Sequence, residues 1–197
     1  MFLLTDPLYA FVLAGLFSPG PNVILITSSG ARFGFKATLP HVLGVVVGVG
    51  ITAGLTALGI GALLLAAPAL EWGLKLIAGG WITYMAYKLA MAKPSATPNP
   101  DERPFTFVQA ILFQWVNPKV WAVALAASAG FASSLPPLQE ALRIGSAFSG
   151  TNFFVCLFWS AAGTLLAYLL QTPTAWRVFN LVMAAALLAS AVMVFLS

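Results

Sequence analysis

Lys119 is the residue of this chain best placed to do chemistry, because every other formal charge lies in or beside an expected loop. It ends the triplet Asn117-Pro118-Lys119 inside a long apolar stretch. A second polar interruption, Ser18-Pro19-Gly20-Pro21-Asn22, lies half a chain away: Pro21 and Pro118 are 97 positions apart in 197 residues. Proline lacks a backbone N–H and its ring clashes with the preceding turn, so each interruption frees backbone groups that a continuous helix would pair. Gly20 removes the side chain that would hold a solute away from that backbone. A lysine deep in a membrane costs about 2.5–3.5 kcal/mol on insertion scales, so it faces a cavity or a partner. Two kinds of chemistry follow. The ammonium, with the freed N–H groups, can hold a substrate carboxylate, or it can release and regain a coupling proton. Asn22, Gln114, Asn117 and Asn152 add neutral groups that accept from an α-ammonium or a hydroxyl. The candidate substrate site is therefore Pro19, Gly20, Pro21, Asn22, Gln114, Asn117, Pro118, Lys119 and Asn152. His41, a side chain that titrates near neutral pH when unperturbed, is a second candidate for proton coupling beside Lys119.

These side chains need a scaffold, and composition decides which solvent it faces. Apolar residues make up 60% and charged residues 7% of the chain, with a mean hydropathy of +0.96. A water-facing domain carries about a quarter charged residues, so the expectation is an all-α polytopic membrane protein. Residues 39–67 and 151–170 reach or exceed the ~20 residues that cross ~30 Å of hydrocarbon. Their continuous apolar character argues against a β-barrel, whose strands alternate. Hydropathy and the punctuation of Gly, Pro and charge predict six spans. A first half, 1–92, carries spans at about 8–29, 39–66 and 74–91. A second, 105–197, carries spans at about 107–131, 144–170 and 178–196. The polar, proline-rich run 93–104 reads as the linker between them, and the two interruptions break spans one and four.

Orientation follows from the basic residues. Arg32, Lys36, Lys88, Lys93, Arg103 and Arg177 fall after spans one, three and five, whereas the opposite side carries Lys75 and Arg143. That bias predicts a cytoplasmic linker and both termini outside. Three spans per half then make the second half an inverted copy of the first. Broken helices at corresponding positions of inverted repeats point to a transporter's binding site. Leu39-Pro40 at span two and Leu135-Pro136 before span five form a short internal echo. Residues 1–5 have no basic side chain and do not read as a cleaved signal, so the first span is expected to be retained. In span two, Gly44/Gly48 and Gly50/Gly54 permit close helix approach, within the protomer or across a homodimer.

Several function classes lack their residues. The five carboxylates, Asp6, Glu71, Asp101, Glu102 and Glu140, all lie in or near expected loops, so a cationic side chain would find no countercharge at mid-membrane. A small neutral amino acid fits better than a basic one. Metal ligands inside the spans are missing, no cofactor is implied, and the lone Cys156 cannot form an intrachain disulfide. The net charge of +4 is spread over loops and is no nucleic-acid signal; the partners expected are a small amino-acid substrate and membrane lipid. An intramembrane hydrolase would need a dyad such as Ser with His or paired Asp in one cavity; Ser28, Ser29 and His41 are present, but no carboxylate pair or nucleophile motif accompanies them. The expectation is a secondary-active, proton-coupled transporter and no enzyme. An exporter of basic amino acids and a passive solute pore are the alternatives, with a hydrolase the weakest.

Three segments carry a resemblance. Phe17-Ser18-Pro19-Gly20-Pro21-Asn22, Gly30-Ala31-Arg32-Phe33-Gly34 and Val116-Asn117-Pro118-Lys119 resemble the LysE/RhtB superfamily of amino-acid exporters, over essentially the whole chain. Residues 150–159 and Arg177-Val178-Phe179-Asn180-Leu181 resemble its cysteine/O-acetylserine branch. The resemblance implies gradient-driven efflux of amino acids or derivatives, of homoserine/threonine or cysteine/O-acetylserine type, across a bacterial inner membrane. The direction of transport comes from this resemblance alone.

Overall fold

The computed structural model describes residues 6–61, 66, 68–92 and 102–196. Among them eight helices follow in order: α1 (Pro7–Phe17), α2 (Pro21–Phe33), α3 (Phe35–Ala57), α4 (Pro68–Ala90), α5 (Phe107–Trp115), α6 (Pro118–Gly130), α7 (Pro137–Ala167) and α8 (Pro173–Leu196). The protein is an all-helical polytopic membrane protein. Among the described residues α3, α7 and α8 are long and apolar enough to cross a membrane. The pairs α1/α2 and α5/α6 are bent by 61° and 63° at their breaks, and counting each pair as one span gives up to five. The expected third span is helical as α4, but Glu71, Lys75 and Lys88 and its glycines dilute it, so composition alone does not make it a sixth. Most of the expected linker, residues 93–101, lies outside the described residues.

Local chemistry sets the helix starts. Asp6 caps α1 by accepting from the Leu8 N–H at 2.9 Å, and Thr106 with Gln109 forms a capping box at α5. Proline stands first in α1, α2, α6 and α7, where its missing N–H costs nothing. Gly34 joins α2 to α3 at φ +81°, a backbone angle that side chains resist. α7 begins seven residues before the expected 144, because Glu140 and Arg143 are satisfied by ion pairs on the helix instead of ending it. The Leu-Pro echo is not structural: Pro40 lies inside α3, whereas Pro136 precedes α7.

Close contacts give the relative directions. Gly44 and Gly48 of α3 lie against Phe107, Ala110, Ile111 and Gln114, so α3 and α5 run parallel. Gly50 meets Gly145 and Ser149 and Gly54 meets Ala141, so α3 and α7 run antiparallel. Gly30 sits on Ser160 and Gly163 on Thr27, which packs α2 closely on α7. α4 and α8 are antiparallel, with Gly79 against Phe195 and Arg177 donating to the Ala90 carbonyl at 3.1 Å. All four glycines expected to serve either intramolecular packing or a homodimer are thus occupied within the chain. A Cβ at Gly44 would collide with the Phe107 carbonyl.

One core joins α1, α3, α6 and α7 through residues such as Val12, Val45, Val49, Ala124, Ile144 and Phe148. A second holds α4 to α8 and anchors that pair to the rest by Ile24 and Phe113, both close to the breaks. Leu43, Val47 and Ile51 on α3 and Phe154, Phe158 and Leu165 on α7 stay exposed, as a lipid-facing surface requires.

Candidate functional site

Both breaks are built alike. α1 stops at Phe17, Ser18 and Gly20 are extended, and α2 restarts at Pro21; α5 stops at Trp115, Asn117 is extended, and α6 restarts at Pro118. The prolines therefore open new helices and do not merely kink old ones. Neither Gly20 nor Asn117 makes a side-chain cap among the described residues. The first N–H groups of α2 and α6, with the positive ends of their helices, remain available to a ligand. α1 runs antiparallel to α6, with the Phe11 and Phe131 rings 5.2 Å apart and Gly15 against Val123. The end of α1 consequently abuts the start of α6.

Lys119 spans that junction. Its Nζ donates to the Ser18 carbonyl, to Ser18 Oγ at 2.9 Å and to the Pro19 carbonyl at 3.5 Å. An ammonium has three N–H groups, and the end of the first helix engages all three. Gly20 makes this possible, since a Cβ there would lie 2.6 Å from Lys119 Cδ. Its φ of −170° is ordinary extended backbone. Its lack of a side chain thus makes room for the lysine stem, where the sequence suggested approach of a solute.

The other junction is neutral. Asn22 Nδ2 donates to Gln114 Oε1 at 2.8 Å and Gln114 Nε2 returns to Asn22 Oδ1 at 3.1 Å. Gln114 also donates to the Ala110 carbonyl at 2.8 Å, and Asn117 Nδ2 lies 3.4 Å from Gln114 Oε1. Asn22, Gln114 and Asn117 thus form one amide cluster across 92 positions of the chain, beside the Lys119–Ser18 contact across 101.

Two cavities meet these residues. A small enclosed one, about 20 Å³, is lined by Gly20, Asn22, Asn117, Lys119, Asn152 and Trp159 among others. Such a volume holds about one water, too little for an amino acid. A larger one, about 250 Å³, is lined by Pro19, Gly20, Pro21, Pro118 and Lys119 on one side and Ser190 and Met193 of α8 on the other. Every residue expected in the substrate site reaches one of these cavities or is bonded to a residue that does. Ser18 and Trp159 were not among them. Ser18 stood inside the first motif, and Trp159 lies seven residues, two helical turns, beyond Asn152 on the same face of α7. Trp115 and Trp121, which flank the second break, face instead a groove of about 280 Å³ with Glu71 and Lys75.

His41 is elsewhere. It is buried on α3 with its ring 5.1 Å from that of Phe105, neither ring nitrogen has a partner among the described residues, and it lines neither site cavity.

Ion pairs mark the two rims. At one, Arg143 pairs with Asp6 at 3.2 Å and Glu140 at 2.8 Å and donates to the Phe131 carbonyl, tying the start of α1 to α6 and α7. At the other, Arg32 at the end of α2 pairs with Glu102. The Arg143–Asp6 pair joins the first half of the sequence to the second, and Arg32–Glu102 joins the first half to the linker.

Two broken helices that meet at a polar junction define a membrane translocator. The chain belongs to the LysE-type translocator family, whose model matches residues 13–197. It is 28% identical over 168 residues to proteins named cysteine/O-acetylserine efflux protein from Salmonella choleraesuis and Salmonella typhimurium. That match covers 83% of this chain and 84% of each of theirs. An uncharacterized membrane protein of Haemophilus influenzae is 29% identical over 84 residues, covering 43% of this chain and 40% of that one. No solved structure matches the chain.

Proposed function

We propose that this translocator is a secondary-active, proton-coupled exporter of small neutral amino acids or their derivatives, working between the two breaks. The observation that carries the reading is the Lys119 contact with Ser18 and Pro19, which places the half-buried cation on the carbonyl end of the opposite broken helix. A substrate carboxylate is a stronger acceptor than those carbonyls and competes for the same ammonium. Loss of the Lys119 proton releases the same contact, so one residue serves both substrate binding and coupling, with His41 a second coupling candidate. The free N–H groups at α2 and α6 complete the anion site. No carboxylate lines either site cavity among the described residues, which favours a neutral side chain over a basic one. The cysteine/O-acetylserine efflux proteins similar to the chain support amino-acid export.

The contact pattern supports two inverted halves, 1–92 and 105–197, with α4 and α8 completing three spans each. α2 packs on α7 as α6 packs on α3, and α1 on α7 as α5 on α3. The narrowness of the small cavity suits alternating access better than a passive pore. The proposed setting is the bacterial inner membrane, with the basic rim cytoplasmic and both termini outside.

Counterflow in proteoliposomes tests the reading. Labelled neutral amino acids should exchange saturably, and accumulation should collapse when the proton gradient is dissipated. Non-saturable flux, or unchanged transport by Lys119→Ala at equal protein, would falsify it.

A further inference from the structure

The groove that Trp115 and Trp121 face is built unlike the two site cavities. It holds about 280 Å³ between the start of α4 and the second break. Leu74 and Ala78 of α4 and Val116, Ala122 and Leu125 across from them are apolar, and the two indole rings lie 6.3 Å apart. Trp121 Nε1 donates to the Trp115 carbonyl at 3.0 Å, so the one N–H of that indole is used within the wall. Trp115 and Ala122 are exposed, so the groove opens on the surface that a membrane protein gives to lipid.

One ion pair stands among these apolar walls. Lys75 Nζ lies 2.8 Å from Glu71 Oε1, and 18% and 31% of the two side chains stay accessible. Glu71 is in the first turn of α4, and the Trp72 ring lies 5.6 Å from the Lys75 ammonium. Tryptophan beside a helix end marks the level of lipid headgroups. An ammonium has three N–H groups and a carboxylate about four lone-pair sites, so one contact fills neither partner. The pair therefore presents both signs side by side, each with capacity left. Its complement is a phosphate for Lys75 and a primary ammonium for Glu71, carried on an apolar body. An anionic headgroup meets repulsion from Glu71, and a quaternary ammonium has no N–H to give it.

We propose that this groove binds one bilayer phospholipid with a phosphoethanolamine headgroup, its phosphate on Lys75, its ammonium on Glu71 and an acyl chain along Trp115 and Trp121. The site goes beyond the transport reading and does not depend on it. It adjoins the transport machinery all the same, because Pro118, Ala122 and Val194 line both this groove and the larger cavity of Lys119. A seated acyl chain therefore supports the start of α6 from the membrane side, one residue before Lys119.

The test is native mass spectrometry of the full-length protein in detergent. The protein is titrated with equal amounts of phosphatidylethanolamine, phosphatidylcholine and phosphatidylglycerol of identical acyl chains. Wild type should take up its first phosphatidylethanolamine at least about threefold more readily than either other lipid, a size that partly exposed charge pairs allow. Equal uptake of the three overturns the proposal, and this arm needs no variant to fold. Glu71→Gln leaves Lys75 a lone cation, so the preference should pass to phosphatidylglycerol. A phosphatidylethanolamine preference that survives this near-isosteric change overturns the assignment to the groove. Phosphatidylethanolamine with brominated acyl chains should also quench indole fluorescence saturably in wild type. Most of that saturable part should disappear when Trp115→Phe and Trp121→Phe are combined, and its persistence would put the lipid elsewhere. Dimers in detergent that phosphatidylethanolamine does not displace but Leu74→Trp dissociates would give the groove to a second copy of the chain and defeat the proposal. None of these readouts requires transport, so their failure leaves the carrier reading standing.

Discussion

Asn22 and Lys119 hold the same station in the two broken spans. Each follows the proline that opens a second arm, and each reaches back to the end of the opposite first arm, Asn22 to Gln114 and Lys119 to Ser18. The bends are nearly equal, 61° and 63°. Their chemistry is not. The amide pair is reciprocal and neutral, with each partner both giving and receiving, so it neither needs a counterion nor responds to one. The lysine contact joins a full charge to helix-end carbonyls, an arrangement favoured by the helix dipole but open to replacement by any stronger anion. One backbone device has thus been built twice, once as a fixed joint and once as a releasable one. That difference locates the expected movement at the start of α6.

The sharpest way to break the comparison is Lys119→Ala. It leaves the Ser18 and Pro19 carbonyls without their donor, and initial counterflow should fall by about 10–100-fold, the range set by roughly 1.5–3 kcal/mol for a hydrogen bond to a charged group. Lys119→Arg keeps the charge but cannot release its proton. It should retain exchange of bound substrate while losing accumulation driven by a proton gradient. If Lys119→Arg accumulates substrate like wild type, the releasable joint is not the coupling element.

Gly20→Ala comes next. The added Cβ meets Lys119 first, 2.6 Å from its Cδ, and the extended backbone at Gly20 tolerates any residue. Exchange should drop by about tenfold, in line with ~1–3 kcal/mol for overpacking a close contact. The same substitution in a Lys119→Ala background should cost nothing further, because coupled neighbours are not additive. An additive result would mean that Gly20 serves the backbone or the solute, as the sequence alone suggested.

How much of this could be read from sequence depends on what each feature needed. The breaks were legible because proline and polar residues stand out in apolar stretches, and the site residues followed from them. Their partners were not. Nothing in the spacing says that Asn22 faces Gln114 while Lys119 faces Ser18, since that depends on the antiparallel contact of α1 with α6. Trp159 had a signal in its two-turn offset from Asn152, masked by a chain in which most helix faces are apolar. The start of α7 was misplaced because hydropathy counts Glu140 and Arg143 as loop residues, whereas their ion pairs keep them on the helix. His41 could be singled out by type, yet its burial beside Phe105, away from both cavities, required coordinates.

The neutral joint should behave differently from the charged one. Asn22→Leu and Gln114→Leu each leave an amide partner unmatched, Gln114 being fully buried. Each should lower thermal stability in detergent by about 1–3 kcal/mol. The double variant should be less destabilised than the sum of the two, since it removes both unmatched partners together. Transport per folded molecule should change less than in Lys119→Ala. Equal transport defects at the two joints would erase the distinction between fixed and releasable.

The finest test lies within the charged joint itself. Ser18 supplies Lys119 with two acceptors, its carbonyl and its Oγ, and the hydroxyl donates in turn to the Gly15 carbonyl at 3.0 Å. Ser18→Ala removes only the hydroxyl and leaves the Ser18 and Pro19 carbonyls in place. One hydrogen bond of about 0.5–1.5 kcal/mol is lost, from the closed state alone if the joint opens during transport. Destabilising the closed state favours the open one, so substrate should bind up to about tenfold more tightly, provided the open site is what substrate sees. A carboxylate competing with the carbonyls predicts this sign. A serine that instead contacts substrate predicts weaker binding. Substrate affinity of Ser18→Ala, measured by equilibrium binding to the purified protein, therefore separates a latch from a ligand.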